Sequence, residues 1–408
     1  MAGITLPRRL STITPGLLAW IGLLGVLLLI GLVSAVTVLL KGLIVTNMNN
    51  TVPWGLWITV DLSAIALGAG AFTLSAVVYV FGLKRFQPIV RLAVFVGFIG
   101  YTSALLALVM DIGRPDRFWH PWVYWNVHSV LWEITWAITL YTSVMVLEFI
   151  PVVVELPFFG RWPRLRRLGH ILHKATPALA LIGMGISLLH QSSLGATYGI
   201  LKARPIWFKP SMPIMFILSA VAVGPAVTMG VALVVEWITQ KRTVPHDALR
   251  IIARFSAFAL LVYLYIKLWD LAAVSYYGRS PAVISGMDFL QQITPYGFGF
   301  WVGEIIIGVI IPVMLFLTPR FNRRPPLLVL GAFCGVIGIL FNRWDVTVSG
   351  LVVPLSYAPG VLYKTPPGSY TPALVEWGVA IGVLGYALTM LTVGVKLLPL
   401  FPREGETH

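Results

Sequence analysis

The chain has 408 residues, of which 58% are hydrophobic and only 11% are charged. Soluble domains carry about 25% charged residues, so the composition excludes a soluble protein and indicates a stack of membrane spans of about 20 apolar residues each. The net charge of +14 would also suit a nucleic-acid-binding protein, but the basic residues lie in short segments between apolar runs, as membrane orientation requires. We therefore expect membrane lipids, and no nucleic acid, as the surroundings of this chain.

Ten apolar runs are long enough to cross a bilayer. They are residues 16–43, 53–82, 88–111, 128–153, 176–200, 211–239, 250–277, 297–318, 325–343 and 372–400. The sequence thus predicts an all-α integral membrane protein with ten transmembrane helices in a single membrane domain, 1–408. The single cysteine, Cys334, lies inside one of these runs, which argues against a disulfide framework, a thiolate metal site or an iron–sulfur cluster held by this chain.

The basic residues alternate between the two sides of this predicted stack. If the N-terminus is cytoplasmic, 19 of the 29 lysines and arginines fall on the cytoplasmic side. Cytoplasmic loops carry the excess of Lys and Arg in membrane proteins, so both termini are predicted in the cytoplasm. On that side, residues 161–174 have the pattern of a basic amphipathic helix lying on an anionic leaflet, with anchoring of the topology as its simplest role.

The two long connections both fall on the outer side. One covers residues 277–294, and the other covers residues 344–371, which are rich in Pro, Gly and Tyr. A connection of that length is usually functional or docked on something. Residues 344–371 are therefore predicted to form an outer loop that docks a partner.

Ionisable and polar side chains are concentrated in the outer third of the predicted helices. Each ionisable group within a span costs about 2.5–3.5 kcal/mol on the insertion scale, so a layer of them at one depth indicates a cavity or a docking surface. The layer consists of Asp61, Asp111, His128, Glu133, His190, Gln191, Lys267, Asp270, Glu304, Arg343 and Glu376.

Some members of this layer have a neighbour in sequence that would neutralise them. The expected pairs are Lys267 with Asp270, Arg343 with Asp345, and Asp111 with Arg114 or Arg117. Asp61 and Glu133 have no such partner, and with His128 and His190 they are the better functional candidates. Trp57 shares a helix face with Asp61, and Trp132 shares one with His128. Either tryptophan could therefore form part of a pocket wall or belong to the aromatic belt at the membrane interface.

Three classes of function fit ten helices. A quinone-reactive subunit needs hydrogen-bond donors for two carbonyls and acids that deliver protons, which His, Asp and Glu supply. A secondary transporter, or a proton-translocating subunit without quinone chemistry, would place its polar groups near the midplane. A dihaem cytochrome b needs axial His pairs on facing helices, whereas only His128 and His190 are placed in spans, both at the outer end.

Four strings, found in this order, carry a family resemblance: NNTVPWGLWITVDLSAIALGAG, MDIGRPDRFWHPWVYWNVHSVLWE, SLLHQSSLG and YTPALVEWG. They resemble the NrfD-like family, the membrane subunits of polysulphide-reductase-type complexes, and within it the ten-helix HybB-type subunit of periplasmic nickel–iron hydrogenases. The HybB-like string has Asn where this chain has His128.

The resemblance implies two four-helix bundles, helices 2–5 (residues 53–200) and helices 6–9 (residues 211–343), flanked by helices 1 and 10. It implies a membrane anchor in a prokaryotic inner membrane, without haem or metal, that exchanges electrons with menaquinone or ubiquinone in the first bundle. It further implies a ferredoxin-like partner with [4Fe–4S] clusters on the periplasmic face. A catalytic subunit, which could be a hydrogenase, a molybdenum enzyme or a multihaem cytochrome, would lie beyond that partner.

Together these arguments predict one site near the outer face. Quinone is expected to contact Trp57, Asp61, Asp111, His128 and Trp132. Proton transfer is expected from Asp61, His128, Glu133 and His190.

Overall fold

A computed structural model describes residues 14–156, 158–202, 204, 206–277, 295–352, 356–358, 361–364 and 369–401. Within them, ten helices are long and apolar enough to cross a membrane, so the predicted all-α membrane architecture is confirmed. Their bounds are α1 Pro15–Lys41, α2 Leu56–Tyr79, α3 Lys84–Asp111, α4 Val130–Val154, α5 Pro163–Gly199, α6 Met212–Thr239, α7 His246–Tyr277, α8 Tyr296–Leu317, α9 Pro325–Val352 and α10 Leu374–Leu397.

The helices pack as two rings of four with a separate pair. Helices α2, α3, α4 and α5 pack in a ring, and α6, α7, α8 and α9 pack in a second ring. The rings meet where α2, α3 and α5 contact α6 and where α2 contacts α9. The first and last helices, α1 and α10, pair with each other, and α10 packs on α2 and α3, which is the arrangement that the family resemblance implies.

Glycines allow the closest helix contacts. A Cβ atom added at Gly31 of α1 would collide with the backbone of Gly382 in α10, and one added at Gly308 of α8 would collide with Gly338 in α9. Small residues are favoured at such positions in membranes because they let two backbones approach closely. These contacts fix the position of α1 against α10 and of α8 against α9.

Three helices depart from regular α geometry, either at the depth of the polar layer or farther toward the middle of the helix. The first, α2, is interrupted at Ala69, between Leu56–Gly68 and Gly70–Tyr79. A π-helical segment, Gly299–Ile310, lies in α8, and another, Asp345–Ser349, lies in α9. Single π-helical turns are rare and occur frequently at functional sites.

Several predicted boundaries are wrong. The basic segment 161–174 is not separate from the following span, because α5 runs without a break from Pro163 to Gly199. The ninth helix does not end at residue 343 but continues to Val352. The predicted outer loop 344–371 therefore begins as helix, and within it Ser356–Ala358 (β1) pairs antiparallel with Val361–Lys364 (β2). The outer connection 277–294 lies almost entirely outside the described residues.

The two faces of the molecule differ in charge. We call the face with residues 80–83, 158–162, 240–245 and 318–324 the basic face, because the exposed arginines and lysines of the predicted cytoplasmic side lie at or near it. We call the opposite face, with residues 42–55, 112–129, 206–211 and 369–373, the loop face. The polar layer lies within about three turns of the loop face.

Candidate functional site

Asp61 is buried in α2, two turns from the loop face, with 6% of its surface exposed. Its Oδ1 atom has no hydrogen-bond partner, as the lack of a nearby cation in the sequence predicts. The groups that interact with it electrostatically are Asp111 and the hydroxyls of Tyr101 and Tyr198. Asp61 therefore faces the interior of the first ring of helices, among groups that do not neutralise it.

Asp111 ends α3 close to Asp61. Its Oδ1 atom is also buried without a partner, and within the described chain it forms no ion pair with Arg114 or Arg117. The predicted local pairing of Asp111 is therefore wrong. Arg114 instead bonds Asp116 at 3.0 and 2.9 Å, which lowers the pKa of that exposed carboxyl.

His190 is fully buried in α5. Its Nδ1 atom lies 3.3 Å from the hydroxyl of Tyr101 in α3, while its Nε2 atom has no partner. The Tyr101 ring packs against Tyr141 of α4, with ring centroids 4.5 Å apart. Next to His190, Gln191 donates to the Ile65 carbonyl of α2 at 3.4 Å, and its Oε1 atom is unpartnered.

The unpartnered atoms of Asp61, Asp111, His190 and Gln191 come from α2, α3 and α5, and we call these residues with Tyr101 the buried polar group. Polar groups buried in proteins are nearly always hydrogen-bonded, and hydrocarbon offers no water to compensate them. Several unsatisfied donors and acceptors in one ring of helices therefore indicate a place for a polar ligand or for water.

His128, Trp132 and Glu133 lie apart from the buried polar group. His128 is exposed and precedes α4, which begins at Val130. Trp132 is half-buried and packs with Trp125 and Trp136, with ring centroids 5.2 and 6.2 Å away. Glu133 is half-buried in the first turn of α4. In the described chain, no hydrogen bond or ion pair joins these three to Asp61 or His190, so the predicted site divides into a buried part and a rim at the loop face.

Trp57 is buried, and its indole nitrogen donates to the Glu376 carbonyl of α10 at 3.1 Å. Its ring packs with Val38, Ala107 and Val379. The structure therefore places Trp57 between α2 and the α1–α10 pair.

Glu376, also in the predicted layer, connects the start of α10 to two other segments at the loop face. Its carboxylate accepts from the backbone of Asn47 at 3.1 Å and of Ala373 at 2.8 Å, and from the hydroxyl of Tyr370. Burial and this carboxylate raise the pKa of Tyr370.

The second ring of helices holds an ionic network, which also keeps some buried polar atoms without a partner, Glu304 Oε2 among them. Lys267 of α7 pairs with Glu304 in the π-helical segment of α8. The same carboxylate accepts from the hydroxyl of Tyr263 at 2.5 Å and from the Asn342 amide at 3.1 Å. The predicted pair of Lys267 with Asp270 is therefore wrong.

Asp270 has its own partner in a different helix connection. It pairs with Lys209 of the connection between α5 and α6, whose Nζ atom lies 2.6 Å from the Asp270 carboxylate.

Arg343 of α9 binds neighbours in its own helix and in α6. Its guanidinium donates to Asn342 at 2.8 Å and to Ser219 at 3.0 Å, and it lies 3.7 Å from the centroid of the Phe216 ring. Since Arg343 bonds these groups, its predicted pairing with Asp345 is also wrong.

A large apolar cavity of about 880 Å³ lies where α2 and α3 meet α6, α9 and α10. Its wall is mostly aliphatic, with the aromatic rings of Phe341, Trp344 and Trp377, and its polar groups include the hydroxyls of Thr59, Ser63 and Ser103. Ser103 contributes another buried hydroxyl without a partner. Cavities of this size and lining suit apolar ligands with few polar groups.

The sequence reasoning did not identify Tyr101, Tyr198, Lys209 or Tyr263. Tyr263 lies four residues before Lys267 on one helix face, so its hydroxyl could have been placed in the layer. Tyr101 lies ten residues before Asp111, and nothing in the sequence assigns it to His190. Lys209 lies outside the apolar runs and could not be placed at all.

The fold and this layer define a multi-pass helical membrane protein with an unsatisfied polar group in one bundle and an ionic network in the other. In the described residues, no three His, Cys, Asp or Glu side chains are grouped to hold a metal ion. The chain matches the family described as polysulphide reductase, NrfD, over residues 44–354. It belongs to that family, and the resemblance inferred from its motifs is confirmed.

Its relatives are named as parts of different oxidoreductases. The chain is 34% identical over 387 residues to the menaquinone reductase integral membrane subunit of Nitratidesulfovibrio vulgaris, which covers 93% of this chain and 90% of that protein. It is 26% identical over 369 residues to the Hdr-like menaquinol oxidoreductase integral membrane subunit of Archaeoglobus fulgidus, covering 88% of this chain and 87% of that protein. It is also 26% identical over 367 residues to the probable Ni/Fe-hydrogenase 2 b-type cytochrome subunit of Escherichia coli, covering 88% and 86%.

Proposed function

We propose that this protein is the quinone-interacting membrane anchor of a respiratory oxidoreductase and exchanges electrons between an iron–sulfur partner and menaquinone or ubiquinone. The observation that carries the proposal is the set of unpartnered polar atoms in the buried polar group. A relative over nearly the whole chain is named a menaquinone reductase subunit, which supports the same chemistry here.

The residues present fit a quinone. A quinone takes up two electrons and two protons when it is reduced, so it needs donors at its carbonyls and a route for protons. Asp61, Tyr101 and His190 provide such groups, two of them with unused hydrogen-bonding capacity. The apolar cavity borders the same helices, α2 and α3, and its aliphatic wall suits a prenyl chain.

The remaining predicted residues receive roles that follow from their positions. His128 and Glu133, at the loop face, would exchange protons with water, while Asp111 would pass them to Asp61. Trp132 would shield the entrance, and Trp57 would hold α2 against α10. His190 would orient and reprotonate Tyr101.

The test is Asp61→Asn in the intact complex. An amide keeps the shape but cannot release a proton, so quinone-linked turnover is expected to fall by at least 100-fold, within the 10²–10⁴-fold range typical of general acids and bases. Activity of the catalytic partner with an artificial dye should persist. The control is Asp247→Asn, which removes an exposed carboxyl near the basic face. Unchanged quinone turnover and pH dependence in Asp61→Asn would show that Asp61 is not the proton donor.

The loop face is the proposed docking side for the iron–sulfur partner, because the buried polar group lies nearer to it and electron transfer requires proximity. The described parts of 344–371 and the segment 112–129 would form the platform. Cross-links from the partner should map to these segments. Cross-links concentrated in residues 161–174 would place the partner on the opposite face.

The proposed location is a prokaryotic inner membrane with both termini in the cytoplasm. The excess of Lys and Arg near the basic face supports this orientation. A green fluorescent protein fused to the C-terminus should fluoresce, since that protein folds in the cytoplasm and not after export in unfolded form. A C-terminal green fluorescent protein that does not fluoresce, together with an active alkaline phosphatase fused at the same position, would show the opposite orientation.

A further inference from the structure

A wide cavity of about 1,010 Å³ opens at the basic face between the start of α3, the end of α4 and the start of α5. Its charged and titratable lining consists of Arg91, Glu155, Arg161, Arg166, Arg167, His170 and His173. Four arginines thus face a single carboxylate. The cavity belongs to the opposite end of the molecule from the buried polar group.

The one carboxylate is already neutralised. Arg91 binds Glu155 in a two-point contact, with nitrogen–oxygen distances of 3.0 and 2.8 Å. In the described part of the chain, Arg161, Arg166 and Arg167 form no ion pair. Three guanidinium groups around one concave surface therefore have no anionic partner within the protein.

The position of these arginines along α5 sets their depth in the membrane. The helix has 37 residues and is about 55 Å long at 1.5 Å per residue, whereas the hydrocarbon core is about 30 Å thick. Its last residue, Gly199, lies at the loop face, so the first turns extend beyond the hydrocarbon at the other end. Arg166 and Arg167 lie about 48–50 Å from Gly199 along the helix axis, and are consequently outside the hydrocarbon, on the side of the basic face.

The inner rim of the cavity is apolar. Pro151, Val154 and Leu156 of the α4 end line it together with the arginines. A ligand that satisfies both parts carries an anionic phosphate next to hydrocarbon. A free phosphate ion would use the guanidinium groups alone and would gain nothing from the apolar rim.

We propose that this cavity binds the headgroup of an anionic glycerophospholipid, such as phosphatidylglycerol or cardiolipin. The phosphodiester lies against Arg161, Arg166 and Arg167, with the first carbons of the acyl chains against Pro151 and Val154. Basic pockets between transmembrane helices bind such headgroups in other membrane proteins. The lipid joins α4 to α5 at the end of the first bundle.

The experiment is native mass spectrometry of the purified full-length protein with phosphatidylglycerol, with phosphatidylcholine and with inorganic phosphate. The wild type should retain phosphatidylglycerol in preference to phosphatidylcholine, and inorganic phosphate should not compete at millimolar concentration. In the variant Arg161→Gln/Arg166→Gln/Arg167→Gln, affinity should fall on the order of a hundredfold, as expected from about fivefold for each arginine near an anionic surface.

A matched control removes the same charge from another loop of the basic face: Arg320→Gln/Arg323→Gln/Arg324→Gln, all exposed and none in the cavity wall. The single variants Arg167→Gln and Arg164→Gln repeat the comparison within one turn of α5, because Arg164 does not line the cavity. Equal losses in the cavity and control variants would show non-specific attraction and overturn the proposal. So would binding of inorganic phosphate at the affinity of the lipid, or wild-type lipid affinity in the triple cavity variant.

Discussion

Lys267 and Glu304 show how a charged pair is maintained inside the second bundle. Both side chains are about nine-tenths buried or more, and Tyr263 and Asn342 donate to the same carboxylate. Removing two charges from water is expensive, and only an arrangement with additional hydrogen bonds recovers the cost. The pair is therefore most sensitive to loss of one member.

We expect Lys267→Met to destabilise the protein by about 3–5 kcal/mol, because it leaves the Glu304 carboxylate buried without a cation. Thermal unfolding of the purified chain in detergent measures the effect. Lys267→Met/Glu304→Gln should recover most of the loss, since no charge then remains. Lys202→Met, at an exposed position, is the control. A single Lys267→Met variant as stable as the control would show that the pair contributes nothing.

For single residues, the absence of an ion-pair partner was easier to predict from the sequence than the identity of a partner. Asp61 has no cation three or four residues away, and its Oδ1 atom is unpartnered in the fold. Lys267 and Asp270 are close in sequence but bind Glu304 and Lys209 instead. Spacing along one helix shows which side chains could meet, whereas the contacts between helices decide which ones do.

Among the elements, the helices were predictable because an apolar run of sufficient length has no alternative in hydrocarbon. Their ends were less predictable. Residues 163–175 are too basic to count as a span, yet they continue α5, since a helix can extend past the bilayer. Residues 344–352 contain Asp345 and Ser349 and resemble a loop in composition, but they complete α9, where these two side chains bond each other at 3.1 Å.

The α1–α10 contact gives a prediction for a single element. Gly31→Leu should separate the two helices, because even a Cβ atom there meets the backbone of Gly382, and overpacking of well-packed contacts costs about 1–3 kcal/mol. Gly25→Leu in the same helix should be neutral, since nothing lies within 4 Å of a Cβ atom at that position.

Chemical cross-linking provides the readout. Cysteines introduced by Trp20→Cys and Thr392→Cys, in a chain with Cys334→Ala, lie within reach of a short bis-maleimide, because the Trp20 indole donates to the Thr392 hydroxyl across α1 and α10 at 3.2 Å. The cross-link should form in the parent and with Gly25→Leu, and be several-fold slower with Gly31→Leu. Equal rates in all three would contradict the glycine contact as the determinant of packing.

At the scale of the whole molecule, the chain is expected to work without a haem. Only two of its seven histidines were placed in spans, and in the structure His190 is buried while His128 is exposed, so they do not form an axial pair. A reduced-minus-oxidised absorption spectrum of the purified chain should lack a b-type α band. An α band that copurifies with this chain alone and disappears in His190→Ala would overturn the expectation.

The pairing of α1 with α10 also has a consequence for biosynthesis. The partner helix begins roughly 330 residues after α1 ends, and chains are synthesised at about 5–20 residues per second, so α1 waits in the bilayer for roughly 15–70 s. It can do so because no charged residue occurs between Pro15 and Leu40 and most of its surface faces outward. The contact between α1 and α10 is thus made only after the eight helices between them have been synthesised, and a ribosome that stalls before Leu374 releases a protein in which α1 lacks the helix it packs against most closely.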